Sequence, residues 1–174
     1  MLDRLVFIGF MGAGKSAAGR ALARDFAWKF FDMDVLVQVL SGVESINEIF
    51  EKYGETHFRN LEMKAAENIC AEKQAVISTG GGVVMNDKIM SILKTPETCI
   101  VYIKVSFNEL EKRLEGKTNR PLFRDKEKAK ALYDTRLSYY EKYADVIVET
   151  DGYTPSEAAE KIIKTLKQEG WLDE

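Results

Sequence analysis

Residues 9–16 read Gly9-Phe10-Met11-Gly12-Ala13-Gly14-Lys15-Ser16, and this stretch decides the fold class. It fits G-x-x-x-x-G-K-[ST], the pattern of a phosphate-binding P-loop. Arg4 to Ile8, before it, reads as a short buried strand; Ala17 to Phe26, after it, reads as a helix rich in Ala, Leu and Arg. Strand, loop and helix therefore stand in the order the motif requires. The glycines let the backbone adopt conformations barred to residues with a Cβ. Successive N–H groups then turn inward as a nest for phosphate oxygens, and the helix start adds unpaired donors and a positive dipole end. Lys15 is placed to reach the β- and γ-phosphates, and the Ser16 hydroxyl to ligate Mg²⁺. An ordinary glycine turn with a chance lysine is the competing reading, and the correct flanks on both sides weigh against it. The loop by itself implies nucleotide binding, not a reaction.

Outward from the loop, strands alternate with helices. Trp28 to Phe31, Ala75 to Ser78, Cys99 to Val105 and Asp145 to Glu149 read as further strands. The alternation predicts an α/β fold with a parallel sheet, covered on both faces and joined by right-handed crossovers. Ser45-Ile46-Asn47-Glu48, Ser106-Phe107-Asn108-Glu109 and Thr154-Pro155-Ser156-Glu157 read as capping boxes that start helices. Gly54 is expected to end a short helix before a longer one from about Glu55 to Ala71. Two stretches interrupt the pattern. One is an insertion from about 35 to 71. The other runs from 116 to 125 and carries Lys117, Arg120 and Arg124. A basic loop in an acidic protein suggests a lid over phosphates, and a solvated surface loop is the plain alternative.

The chain has 174 residues, 45% hydrophobic and 30% charged, which fits one soluble globular domain covering 1–174. A net charge of −3 argues against general nucleic-acid binding. Cys70 and Cys99 are too few for a disulfide framework and read as buried free thiols in a reducing cytoplasm. No apolar run has the length of a membrane span, and the chain enters its first strand without room for a signal peptide. A cytoplasmic monomer with small-molecule partners is the expectation.

Asp32-Met33-Asp34 follows the second strand, where an open α/β sheet places its site. These carboxylates are suited to hold Mg²⁺ through water, orient a hydroxyl or accept its proton, although Asp32 also reads as a helix cap. Thr79-Gly80-Gly81-Gly82 follows the third strand and invites close approach of a ligand. No acid ends that strand, so Asp32 is the candidate for the usual Walker B duty. Arg59 and Arg136 stand far apart in sequence, and nothing in their spacing makes them converge. His57, the one histidine, reads as structural, and Trp28 and Trp171 as packing residues.

The motifs taken together resemble shikimate kinase. They are Gly9 to Ser16, Asp32-Met33-Asp34, Ile49-Phe50 with Gly54-Glu55 and Phe58-Arg59, Gly80-Gly81-Gly82, Arg120-Pro121-Leu122, and Arg136 with Tyr140. The resemblance runs from about Leu5 to about Leu166. It implies a three-layer P-loop domain of the nucleoside-monophosphate-kinase type, with a five-stranded parallel sheet of order 2-3-1-4-5. It also implies Mg²⁺-dependent transfer of the γ-phosphoryl of ATP to the 3-hydroxyl of shikimate. On this resemblance Gly12, Ala13, Gly14, Lys15, Ser16 and Ala17 hold the nucleotide. Arg113 lies against adenine, and Arg120 reaches the phosphates from the lid. Ser16 and Asp32 serve the metal. Asp34 contacts the substrate hydroxyls as a candidate base, Arg59 and Arg136 hold the carboxylate, Gly80, Gly81 and Gly82 approach through their backbone, and Phe50 and Phe58 line the pocket. Lys15, Asp34 and Arg120 are the catalytic candidates. Met33 departs from the family pattern and should point away from the site, and Thr150 to Tyr153 match the expected adenine region less distinctly. The alternatives are a kinase of another small acid, such as gluconate, and a silent nucleotide-binding module. The intact Lys15, Ser16, Asp32, Asp34 and Arg120 argue against the second.

Overall fold

A computed structural model describes residues 2–115 and 125–173. Five strands form one parallel sheet: β1 (Arg4–Ile8), β2 (Lys29–Asp32), β3 (Ala75–Ser78), β4 (Thr98–Lys104) and β5 (Val146–Glu149). Their order is β2-β3-β1-β4-β5, as the resemblance implied. The central strands β1 and β3 are buried at every residue, and β4 at all but its last. Strands covered on both faces carry continuous apolar runs rather than an alternating pattern, which is how they read in the sequence. The edge strand β5 alternates buried and exposed.

Among the described residues seven α-helices surround the sheet: α1 (Lys15–Asp25), α2 (Met33–Ser41), α3 (Ile46–Cys70), α4 (Asp87–Leu93), α5 (Phe107–Leu114), α6 (Lys126–Tyr143) and α7 (Pro155–Gln168), with a short 3-10 turn at Val83–Met85. On one side α1 packs against α7; on the other α3 packs against α4, and α6 against the 3-10 turn. Residues of both layers and the sheet belong to one apolar core. Among the described residues, no helix is long and apolar enough to cross a membrane.

The helix starts differ in one respect from the sequence expectation. Only Thr154 and Glu157 make the reciprocal capping box. Ser45 and Ser106 do cap α3 and α5. Their glutamates turn elsewhere: Glu48 pairs with Lys52, and Glu109 accepts from Arg113 at 3.0 Å. An opposite charge one turn on competes better for the carboxylate than a neutral backbone N–H does. Gly54 does break a helical run, with φ 79° and ψ 175° inside α3. Met33 is buried in the core, away from the site, as expected. Cys99 is a buried free thiol, whereas Cys70 is only partly covered.

Candidate active site

The loop between β1 and α1 lies at the C-terminal end of the sheet. Gly14 sits at φ 93°, where a Cβ would be strained, and it starts α1 with no side-chain cap. The first N–H groups of α1 thus stay available to an anion. Lys15 is 7% exposed, and its Nζ donates to the carbonyls of Gly9 at 2.8 Å and Phe10 at 3.0 Å. The ammonium is folded over its own loop.

Beside it stands a cluster of hard oxygen donors. The Ser16 hydroxyl donates to Asp32 Oδ2 at 2.7 Å and lies 3.0 Å from Ser78 Oγ. The other Asp32 oxygen accepts from the Asp34 N–H at 3.1 Å, so one carboxylate caps α2 and faces the P-loop at once. The helix-cap reading of Asp32 holds, and the same side chain reaches Ser16 of the P-loop. Sheet register explains the meeting, since Ser78 pairs with Asp32 on one side and Phe7 on the other. Ser78 escaped the sequence reasoning, which looked for an acid at the end of β3. Its signal was the polar residue closing an apolar strand next to the glycines. Among the described residues no three His, Cys, Asp or Glu side chains cluster as a metal site. Hydroxyl and carboxylate oxygens with room for water suit Mg²⁺, which retains several waters.

A cavity of about 670 Å³ extends from this cluster along the loop. Its far wall is Arg113 on α5 together with Gly152, Tyr153 and Thr154 before α7 and Pro155 at its start. Arg113 is firmly held: Nε donates to Glu109 at 3.0 Å, and the terminal nitrogens to the carbonyls of Ala13 at 3.3 Å and Thr150 at 2.6 Å. The guanidinium therefore bridges the P-loop and the β5–α7 turn. The segment from Thr150 to Tyr153, indistinct in sequence, reaches the cavity through this contact.

A second constellation forms around the three glycines. A Cβ on Gly80 would lie 3.0 Å from an Asp34 oxygen and 3.4 Å from a Glu62 oxygen. A Cβ on Gly82 would lie 3.0 Å from one Arg136 nitrogen and 3.6 Å from one of Arg59. Carboxylates thus gather at one end of the run and guanidiniums at the other. None of the three glycines has a positive φ, so space alone demands the missing side chain. Arg59 and Arg136, which the spacing left unrelated, converge on Gly82. Arg59 donates to Glu62 at 2.6 Å and to Glu55 at 3.3 Å. Next to it, Phe58 is buried and its ring lies 4.5 Å from that of the exposed Phe50.

Glu62 was missed in the sequence because it sits on a charged helix face like any solvated residue. It is 2% exposed. Burial pushes its carboxyl above the usual value, Arg59 opposes this, and the neighbouring Asp34 adds to it. For Arg59, burial works against the charge, but the bonds to Glu62 and Glu55 prevail and its pKa is raised. Tyr140 on α6 donates to the Gly81 carbonyl at 2.6 Å. His57 is exposed, with its ring 4.9 Å from that of Tyr53. Arg120 and the lid expected around 116–125 lie outside the described residues, except for Asp125, which caps α6.

The shikimate kinase family model matches residues 11–167. A curated shikimate kinase from Thermodesulfovibrio yellowstonii is 42% identical over 166 residues, covering 94% of either chain. Among solved structures, a shikimate kinase from Acinetobacter baumannii in complex with shikimate superposes with a TM-score of 0.89 at 28% identity, covering 99% of this chain and 97% of the other. The shikimate kinase of Aquifex aeolicus superposes with a TM-score of 0.82 at 35% identity, over 94% and 96% of the two chains.

Proposed function

The chain belongs to the shikimate kinase family, and from that premise we propose that it transfers the γ-phosphoryl group of ATP to the 3-hydroxyl of shikimate. The observation that carries this reading is the meeting of Arg59 and Arg136 at Gly82, with Asp34 at Gly80 and the P-loop alongside. A small hydroxylated carboxylate needs arginine forks at one end and a carboxylate for its reacting hydroxyl at the other. The glycine run has that polarity.

In the proposed reaction the 3-hydroxyl oxygen forms a bond to the γ-phosphorus, the bond from that phosphorus to the β–γ bridging oxygen breaks, and ADP leaves. Asp34 orients the hydroxyl and takes its proton. Lys15 exchanges the two loop carbonyls for phosphate oxygens and offsets the charge that develops there. The backbone of Gly12, Ala13, Gly14 and Ala17 cradles the phosphates, and Arg113 lies along the base. Gly80, Gly81 and Gly82 meet the acceptor with their backbone, and Phe50 and Phe58 wall its apolar edge. Ser16 and Asp32 would hold Mg²⁺, with Ser78 beside them, and the ion supplies charge neutralisation on the phosphates when bound. Arg120 is assigned to the phosphates on the family resemblance.

We read residues 1–174 as one kinase domain whose insertion at 35–71 builds the acceptor site. We take it as a monomer, and the free thiols Cys70 and Cys99 fit a reducing cytoplasm. A coupled assay for ADP, with and without shikimate, tests the function. ADP release should depend on shikimate and yield shikimate 3-phosphate by mass spectrometry. Phosphorylation of gluconate but not shikimate would overturn the assignment.

A further inference from the structure

Tyr140 is fully buried and stacks on Tyr102 of β4, with ring centroids 5.0 Å apart and planes inclined by 24°. Phenylalanine would pack there equally well, so the hydroxyl needs its own account. A buried phenol must find a partner, and this one spends its proton on the carbonyl of Gly81 at 2.6 Å. The choice of partner matters because Gly80, Gly81 and Gly82 have no side chains to fix them. Their other anchors are the Gly80 carbonyl, which accepts from Val83, and the Gly82 carbonyl, which accepts from Met85. Among the described residues, none of the three glycine N–H groups donates a hydrogen bond.

The peptide between Gly81 and Gly82 is trans and planar. Its N–H therefore points opposite to its C=O. With the carbonyl drawn toward α6, the Gly82 N–H faces away from Tyr140. Arg136 lies one turn before Tyr140 on the same helix, with its guanidinium beside the phenol and in the space that a Cβ on Gly81 or Gly82 would take. One face of α6 thus supplies both a guanidinium for the acceptor and the clamp for the peptide beside it.

We propose that Tyr140 is a positioning residue for the acceptor: its hydroxyl fixes the Gly81–Gly82 peptide so that the Gly82 N–H is presented, ready oriented, to an oxygen of the substrate anion. This rests on the reading of the glycine run as the acceptor site. The same helix contains a matched control. Tyr133 is buried too, and its hydroxyl donates to the Val105 carbonyl at 2.8 Å, away from the glycines. Tyr140→Phe and Tyr133→Phe each delete one buried hydroxyl and keep the ring.

The test is steady-state kinetics with both variants, with shikimate titrated calorimetrically in the absence of ATP and melting followed by circular dichroism. Both variants should melt at similarly lowered temperatures. Tyr140→Phe should raise the KM and Kd for shikimate about three- to tenfold, the worth of one hydrogen bond, with the KM for ATP unchanged. Tyr133→Phe should leave all these constants unchanged. Equal shikimate affinity in the two variants, or an equal rise in both substrates' KM with Tyr140→Phe, would overturn the positioning role alone. A parent that does not phosphorylate shikimate would overturn the site reading and this role with it.

Discussion

At the scale of single residues, the two arginines on Gly82 are not equivalent. Truncating either to Ala should raise the KM for shikimate by about one to two orders of magnitude, since a charge-assisted contact is lost where water is excluded. The effects should be non-additive, because both groups share one partner. Stability separates them. Arg59→Ala strands the buried Glu62 carboxylate, so it should lower the melting temperature clearly more than Arg136→Ala does. Equal melting temperatures would count against the Glu62–Arg59 pair as a structural unit. Glu62 itself carries a pH signature. Burial, with help from Asp34, raises its pKa in the folded chain above the unfolded value. The folded state then binds this proton more tightly, so its contribution to stability grows as pH falls through the folded pKa and levels off below the unfolded one. Gln cannot gain it. Urea unfolding at about pH 7 and about pH 4 should show the parent gaining on Glu62→Gln as pH falls; a constant difference would contradict the raised pKa. Lys15 and the Asp32–Asp34 pair stood out in sequence because each belongs to a short motif beside a strand end, whereas Arg59 looked like any helix arginine and entered only through the family resemblance. Ser78 did not stand out, because Ser16 and Asp32 come from other elements that the sheet order brings near, and Glu62 did not, because nothing local marks one glutamate of a charged helix as buried beside Asp34 and Gly80.

At the scale of elements, the kink in α3 divides the helix that carries the proposed acceptor residues. Gly54 has a backbone conformation open essentially to glycine alone, while a Cβ there would meet nothing within 4 Å. Any effect of Gly54→Ala is therefore conformational and not steric. The kink separates Phe50 on one limb from Phe58 and Arg59 on the other. Gly54→Ala should cost about 1–3 kcal/mol and lower the melting temperature by roughly 3–10 °C. The shikimate KM should rise while the ATP KM stays, because the P-loop lies on other elements. An unchanged shikimate KM in a destabilised variant would show that the limbs keep their angle without glycine. The elements themselves were readable, since caps and apolar periods are local signals. Two of the three expected capping boxes were only half formed, because a lysine or arginine four residues on from the glutamate drew its carboxylate away.

At the scale of the whole molecule, the site and the sheet's main clamp occupy opposite ends of the strands. Arg4 opens β1 and is nearly buried, and it donates to Thr98 Oγ1, Thr95 Oγ1 and the carbonyls of Cys70 and Glu72 at 2.9–3.0 Å. It thereby ties β1 to the start of β4 and to the end of α3. Arg4→Met leaves those acceptors without their donor, and chemical unfolding should show a loss of about 2–4 kcal/mol. Both KM values should hold, since the clamp is remote from the P-loop; a shifted KM would show that strain passes along β1. The strand order has a consequence for how the protein is made. β1 is synthesised first yet sits in the middle of the sheet, hydrogen-bonded to β3 from Arg4↔Ala75 and to β4 from Arg4↔Thr98. At roughly 5–20 residues per second, this apolar strand leaves the ribosome several seconds before either partner exists. The segment that anchors the finished sheet is thus the one the nascent chain exposes longest, and the first that a holdase chaperone has reason to grip.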